Sequence, residues 1–314
     1  MIIYIIKRLC QALLIIVFII CITFFIMNII PGGPFLSEKP PSPEVLSALE
    51  TKYGLDQPIF VQLKNYLIDL THGDMGVSFK LQKNRAVTKI IADMFPVSAK
   101  IGIMSLFVSI LFGILLGCIA ANNNGKRLDR LLQIITSIGI SIPGFVMAII
   151  CIIIFGVKLN WLPTIGLNGW KNYIMPCFVL ALYPTCYIAR LTRFSMLDVI
   201  NKDYIRTAKA KGLGSFAITY KHALKNACLP VLTYLGPLTA AILTGGFVVE
   251  SIFNIPGLGR YFVQSISSRD YPLIMGTTIF FASLIVLMNL VVDILYKVID
   301  PRIDLSRKVR SHAK

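Results

Sequence analysis

Six apolar runs constrain this chain more than any other feature. They cover residues 9–30, 101–121, 131–157, 173–189, 229–253 and 275–296. A helix needs about 20 apolar residues to cross the hydrocarbon of a bilayer, and each run comes close to or exceeds that. A water-soluble core built from 314 residues has no place to hide so many uninterrupted runs. In lipid the backbone must satisfy its own hydrogen bonds, which leaves helices as the spanning element. The sequence therefore predicts an all-α polytopic membrane protein with six transmembrane helices. The composition agrees: 56% hydrophobic, 15% charged, mean hydropathy +0.75. The fourth run is the shortest and contains Pro176 and Pro184.

The first run follows Lys7 and Arg8, as the apolar core of a secretory signal does. It is longer than such a core, and Asn28-Ile29-Ile30-Pro31-Gly32-Gly33 offers no small-x-small cleavage site. We expect an uncleaved span.

Lys and Arg in short connections are retained on the cytoplasmic side. An even number of spans puts both termini on one side. That side collects nineteen basic residues: Lys7 and Arg8, three in 122–130, eight in 190–228 and six from Lys297 onward. The short loops of the other side hold Lys158, Lys171, Arg260 and Arg269. Both termini are therefore expected inside, and residues 31–100 outside. The net charge of +16 sits at membrane edges, where retention and anionic lipid account for it, and it accompanies no nucleic-acid motif.

Cys10, Cys21, Cys118, Cys151, Cys177 and Cys186 fall in or beside apolar runs, and Cys228 lies at an inner boundary. They read as small hydrophobes and not as a disulfide frame. His72, His222 and His312 are scattered over both sides, so no metal cluster is visible.

Residues 31–100 read as a folded external segment with two short helices. In SPEVLSALETKYG, Ser42 is placed to cap, Pro43 to begin the helix and Gly54 to follow its end, with Val45, Leu46 and Leu49 on one face. In QPIFVQLKNYLIDLTHG, Pro58 begins a second helix whose Phe60, Leu63, Tyr66, Leu67 and Leu70 recur at helical spacing, and Gly73 follows it. The division expected is a first span over 1–30, the external segment over 31–100 and a five-helix core over 101–314 with a basic tail.

Residues 190–228 form a long cationic connection between the fourth and fifth runs. Asp203 stands near a helix start, Lys209 and Lys211 in its last turn, and Gly212 at the turn, so charge agrees with the helix dipole. Ser215 is placed to cap a second helix. Thr207, Ala208 and Ala210 are small enough to let another surface approach. On physical grounds a docked helix and an amphipathic helix resting on headgroups are both open. Arg206 and Lys209 fit pairing with acidic groups of a partner or plain solvation equally well.

Ionisable residues inside spans are costly and often functional. Glu250 closes the fifth run. Asp293 in the sixth has Lys297 four residues on, the spacing of a structural ion pair. Gly245-Gly246 permits close packing or a bend. No phosphate loop is present: around Gly125-Lys126-Arg127 the earlier glycine position is Ala120 and the hydroxyl position is Arg127. No nucleophile with a base and an orienting partner stands out, so an enzyme is not expected.

RTAKAKG followed by HALKNACLP resembles the cytoplasmic loop by which permease subunits of ATP-binding-cassette importers dock their ATPases, in the oligopeptide and dipeptide branch. The general importer pattern begins Glu-Ala-Ala where this chain has Arg206-Thr207-Ala208, and the Leu229-Pro230 pair lies farther from Gly212. IPGGPF, HGDMGVSF, FPVSAK, ESIFNIPGLG, RDYPL and DILYKVIDPRI also resemble this family, so the likeness spans nearly the whole chain. The external segments are most similar to the B-type membrane subunit of oligopeptide importers.

The resemblance implies one half of a heterodimeric pore in a bacterial cytoplasmic (inner) membrane. A sister permease, two cytoplasmic ATPases that bind ATP and magnesium, and an external peptide-binding protein are its implied partners; the chain itself binds no cofactor. Arg206, Thr207, Ala208, Lys209, Gly212 and Leu213 match the coupling segment, and Glu250, Pro256 and Gly257 fall where an outer gate would be braced. Alternatives are a permease for dipeptides, nickel chelates or other small solutes and, from another class, a proton-coupled carrier or a channel. Six unequal spans without an internal repeat speak against a carrier.

Overall fold

The computed structural model describes residues 2–30, 33–35, 42–214 and 217–299. Among these the chain is helical, with one isolated antiparallel bridge between Val77 and Ala86. Among the described residues five stretches are long and apolar enough to cross a membrane: Ile6–Ile29, Val87–Asn122, Trp170–Ile200, Leu229–Ile252 and Tyr271–Val291.

The third apolar run is broken. Helices α5 (Arg127–Ser141) and α6 (Gly144–Cys151), the latter extended by a π-helical stretch Ile152–Lys158, meet at 101°. The cause is Ile142-Pro143. A residue before proline is driven from the helical region, and Ile142 takes ψ 121°. Counted as one bent span, this pair makes six. The fourth run is continuous despite its prolines, as α7 (Ile174–Ile200). Pro176 lies in the first turn, where an amide has no helical acceptor to lose, and α7 absorbs Pro184 in its interior.

The chain divides into two compact units. One comprises Met1–Ser98 with Pro256–Val286. It holds α1 (Ile2–Ile29), α2 (Pro43–Lys52), α3 (Ile59–Thr71), the start of α4 (Val87–Asn122), α12 (Leu258–Ser268) and most of α13 (Tyr271–Ile299). Ser42 caps α2 by accepting the Val45 amide at 3.5 Å, and Gly54 and Gly73 follow α2 and α3 with φ of +67° and +79°. Pro58 proves to be the cap of α3 and not its first helical residue. Ile20, Phe24 and Met27 of α1 pack with Ile274, Met275 and Ile279 of α13, and Leu63, Tyr66, Leu67 and Leu70 of α3 close over them. Phe60, expected on that face, is 72% exposed. It lies about 100° around the helix from Ile59, which takes its place.

Polar clasps help to hold this unit. Asp270, wholly buried, accepts the Ser78 hydroxyl at 2.5 Å and the amides of Phe79, Lys80 and Leu81 at 3.0, 3.1 and 3.1 Å. Three successive amides converging on one carboxylate form an anion nest. Ser98 accepts the Leu258 amide at 2.9 Å, satisfying a donor at the N-terminus of α12.

The other unit comprises Ala99–Ile255 with Leu287–Lys314. It holds the rest of α4, α5 to α7, α8 (Asp203–Ala210), α9 (Leu224–Ala227), α10 (Leu229–Gly245) and α11 (Phe247–Ile252). Gly113 and Gly117 bring α4 against α7. A Cβ on Gly113 would lie 2.7 Å from the Ile188 side chain, and one on Gly117 would lie 2.6 Å from the Ala189 carbonyl oxygen. Ile188 then packs with Val231, Leu238 and Ile242 of α10. Gly246 serves both expected roles: it separates α10 from α11 with ψ 38°, and a Cβ there would meet Leu180 at 2.7 Å. Cys118, Cys151, Cys177 and Cys186 are buried thiols, Cys21 and Cys228 are half-buried, and Cys10 is exposed.

Candidate functional site

The cationic connection folds as expected into a short helix and a turn. Asp203 opens α8, and Gly212 takes φ +77°, the left-handed conformation that ends helices. The Leu213 amide returns to the Ala208 carbonyl at 3.3 Å, and Lys211 to Thr207 at 3.0 Å. Two turns of helix do not persist alone in water. Packing holds this one.

Ile205 is fully buried and Ala208 is 7% exposed. Three residues apart, they face the same way. They enter a core with Cys118, Ala121, Met196, Ile218, Ala223 and Ala227. Ala208 thus supports the helix from behind and is closed to an approaching surface. The open face carries Tyr204, Arg206, Thr207 and Ala210, continuing into Lys211, Gly212 and Leu213. Arg206 Nη1 stands 3.6 Å from Asp203 Oδ1, but with side chains 74% and 97% exposed the pair leaves the guanidinium available. Tyr204 accepts from Asn226 Nδ2 at 2.7 Å, tying α8 to α9. The Lys209 side chain and Ser215 lie outside the described residues, as do the side chains of Asp293 and Lys297.

Between α8 and α9 the chain winds as a π-helix over Ile218–Ala223. Such stretches are uncommon and cluster at functional sites. Thr219, 3% exposed, donates to Asn122 Oδ1 at 3.1 Å and so anchors this stretch to the end of α4.

Upstream, α7 is tied to α5 by a bidentate pair. Arg193 Nε and Nη2 reach the Asp129 carboxylate at 2.7 and 2.8 Å; the Gly125 amide adds a bond at 2.9 Å, and Arg193 also donates to Asn124 Oδ1. Sequence reasoning missed this pair, because its members lie far apart along the chain. The Gly113-xxx-Gly117 contact was also missed, although small-xxx-small in an apolar run is a readable packing signal.

The expected gate residues fall in different units. Glu250, on α11, is 3% exposed, and its carbonyl accepts the Ile255 amide at 2.8 Å. Asn254 between them takes φ +52°, a conformation asparagine tolerates. Pro256 is exposed, while Gly257 is buried as the N-cap of α12.

Residues 113–305 match the family model described as "Binding-protein-dependent transport system inner membrane component", and residues 1–102 match that of its N-terminal region. The chain is 43% identical over 302 residues to the oligopeptide transport system permease protein OppB of Haemophilus influenzae, covering 96% of this chain and 98% of that one. It is 43% identical over 305 residues to the dipeptide transport system permease protein DppB of Bacillus subtilis, covering 97% and 99%. Among solved structures, a chain of the inward-facing MetNI methionine ABC transporter superposes with a TM-score of 0.56 at 17% identity, covering 68% of this chain and 97% of that one. That likeness speaks for the fold. With full-length relatives and matches over both regions, the chain belongs to the family of binding-protein-dependent transport system inner membrane components.

Proposed function

We propose that this chain is the permease subunit of an ATP-driven oligopeptide importer, half of a translocation pore completed by a sister permease. The observation that carries the reading is the end-to-end identity of 43% to an oligopeptide permease. Equal identity to a dipeptide permease makes dipeptide transport the second reading. A nickel-chelate or other small-solute importer is a more distant one.

In this reading two cytoplasmic ATPases bind ATP and magnesium, and an external binding protein delivers peptide. The open face of α8, with Arg206 and Thr207, and the turn at Gly212 and Leu213 dock an ATPase, with Lys209 in the same segment, while Ile205 and Ala208 lock the helix to the permease so that ATPase closure moves it as a lever. With the bent pair as one span, both termini are cytoplasmic, which agrees with the charge asymmetry. Glu250 braces an outer gate; normal transport by Glu250→Gln would remove it from that role.

The test is purification under mild conditions from the native membrane. Co-purification of a second permease and two ATPases, with hydrolysis stimulated by delivered peptide in proteoliposomes, is the expected result. A chain that purifies alone and moves solute without ATP would overturn the reading.

A further inference from the structure

The exposed surfaces of the spans differ in chemistry. α4 presents Phe107, Leu111, Phe112 and Leu115, and α5 presents Leu131, Ile134 and Ile138, all at least 40% exposed. These are faces that suit lipid. The first part of α7 exposes the apolar Ile174 and Phe178, and from Tyr183 onward the exposed positions are Tyr183, Tyr187, Arg190, Phe194 and Asp198. Steps of three or four residues put Tyr183 through Asp198 on one helix face. On α10 the neighbouring exposed positions are Thr233, Pro237 and Ala241. These helices belong to the two least apolar of the five candidate spans.

Three phenols meet on this face. Tyr183 and Tyr187 stack with ring centroids 6.2 Å apart and planes 17° apart, and the Tyr187 ring lies 4.4 Å from that of Tyr234 on α10. Tyr183 is 47% and Tyr187 38% exposed. Tyrosines on membrane helices collect at the two interfaces. Tyr187 lies two residues from the end of the apolar run 173–189, but Tyr183 lies close to its middle. A hydroxyl facing hydrocarbon there would cost several kcal/mol. Water or a polar solute removes that cost.

We propose that this face of α7 and α10 is a wet wall of the translocation path, and that Tyr183, Tyr187 and Tyr234 contact the passing peptide. The peptide as occupant rests on the importer reading above. A phenol both donates and accepts, and a peptide backbone offers both kinds of group at nearly every residue. Rigid amphipathic rings make such contacts without demanding a sequence. The wall therefore suits a carrier of varied peptides.

The test uses the complete importer in proteoliposomes, with the permease's seven cysteines replaced. Tyr183→Cys, Tyr187→Cys and Thr233→Cys are compared with Ile134→Cys and Ile138→Cys on α5. A charged thiol reagent, which needs a hydrated thiolate, should modify the first set at least about tenfold faster. Trialanine presented by the binding protein should slow that modification, and should leave the α5 positions unchanged. Equal rates in the two sets overturn the wet wall, whatever the transported solute. Fast modification without protection, in an importer that moves trialanine, overturns the tyrosine contact. Fast modification in an importer that moves no peptide overturns the importer reading and leaves the wall standing. As a second reading of the contact, Tyr187→Phe keeps the ring and should raise the transport KM about threefold, by loss of one hydrogen bond, with ATPase assembly unchanged.

Discussion

Arg193 holds Asp129 through two parallel hydrogen bonds of 2.7 and 2.8 Å, although 64 positions separate them. Asp129 is 1% exposed and the Arg193 side chain 11%. The fork geometry satisfies both carboxylate oxygens, and the Gly125 amide adds a third donor. The pair fixes the start of α5 against α7, the helix that leads directly into α8.

Breaking such a pair from one side strands a buried charge, which costs about 3–5 kcal/mol, whereas replacing both members with apolar residues can be nearly neutral. Arg193→Met should therefore lower the thermal stability of the detergent-solubilised complex sharply. Asp129→Leu combined with Arg193→Met should recover most of it. A double-mutant cycle measures the difference, and strictly additive effects would show that the two residues do not act as a pair.

Asp270 gathers four donors from residues 78–81. Asp270→Asn would turn an amide group toward donors and leave at least one without an acceptor. A loss of about 2–3 kcal/mol follows from charge-assisted bonds given up and a donor left buried. The measurable signs are a lower unfolding temperature and faster proteolysis within 78–86. Ser78→Ala removes one donor of the four and should cost less than half as much.

Much of the fold was legible because membrane spans are written in composition. The apolar runs, the caps at Ser42 and Gly54, and the turn at Gly212 all follow from local chemistry that short windows contain. The bend at Ile142-Pro143 was written as well, yet the apolar run 131–157, which continues past the proline, hid it. Pro184, equally visible, leaves α7 unbroken, so a proline alone does not say whether a helix ends. The orientation of α8 was less accessible. Its small residues Thr207, Ala208 and Ala210 look alike in sequence, and only packing against Cys118 and Met196 separates inward Ala208 from its outward neighbours. The motifs HGDMGVSF and RDYPL stood far apart as signals of family; their physical link is the Ser78–Asp270 clasp.

Gly117 lies where a methyl group would come 2.6 Å from a backbone oxygen of α7 and 2.5 Å from Thr192 Cβ. The backbone cannot yield as a flexible side chain would, so Gly117→Ala should force α4 away from α7 at a cost of about 1–3 kcal/mol, the range for overpacking. Gly144→Ala is the control, because a Cβ there meets nothing within 4 Å. Equal thermal stability of the two variants would contradict the close approach of α4 and α7.

The two sides of α8 should separate in mutation. Ala208→Glu drives a carboxylate into the core formed with Cys118, Met196 and Ala223, and should reduce the amount of folded permease itself. Ala210→Glu and Leu213→Glu alter the open side, and should leave the permease stable while weakening ATPase association about tenfold or more, as charge placed in a docked surface does. Gly212 discriminates further. A Cβ there meets nothing within 4 Å, so any cost comes from its φ of +77°. Gly212→Asn should retain coupling, because asparagine visits the left-handed region, while β-branched Gly212→Val should not, at about 1–2 kcal/mol of backbone strain. Purification of the assembled importer, with permease yield and bound ATPase measured separately, tests all five variants. Ala210→Glu and Leu213→Glu variants that keep full ATPase association and peptide-stimulated hydrolysis would show that this side of the helix meets only water and headgroups.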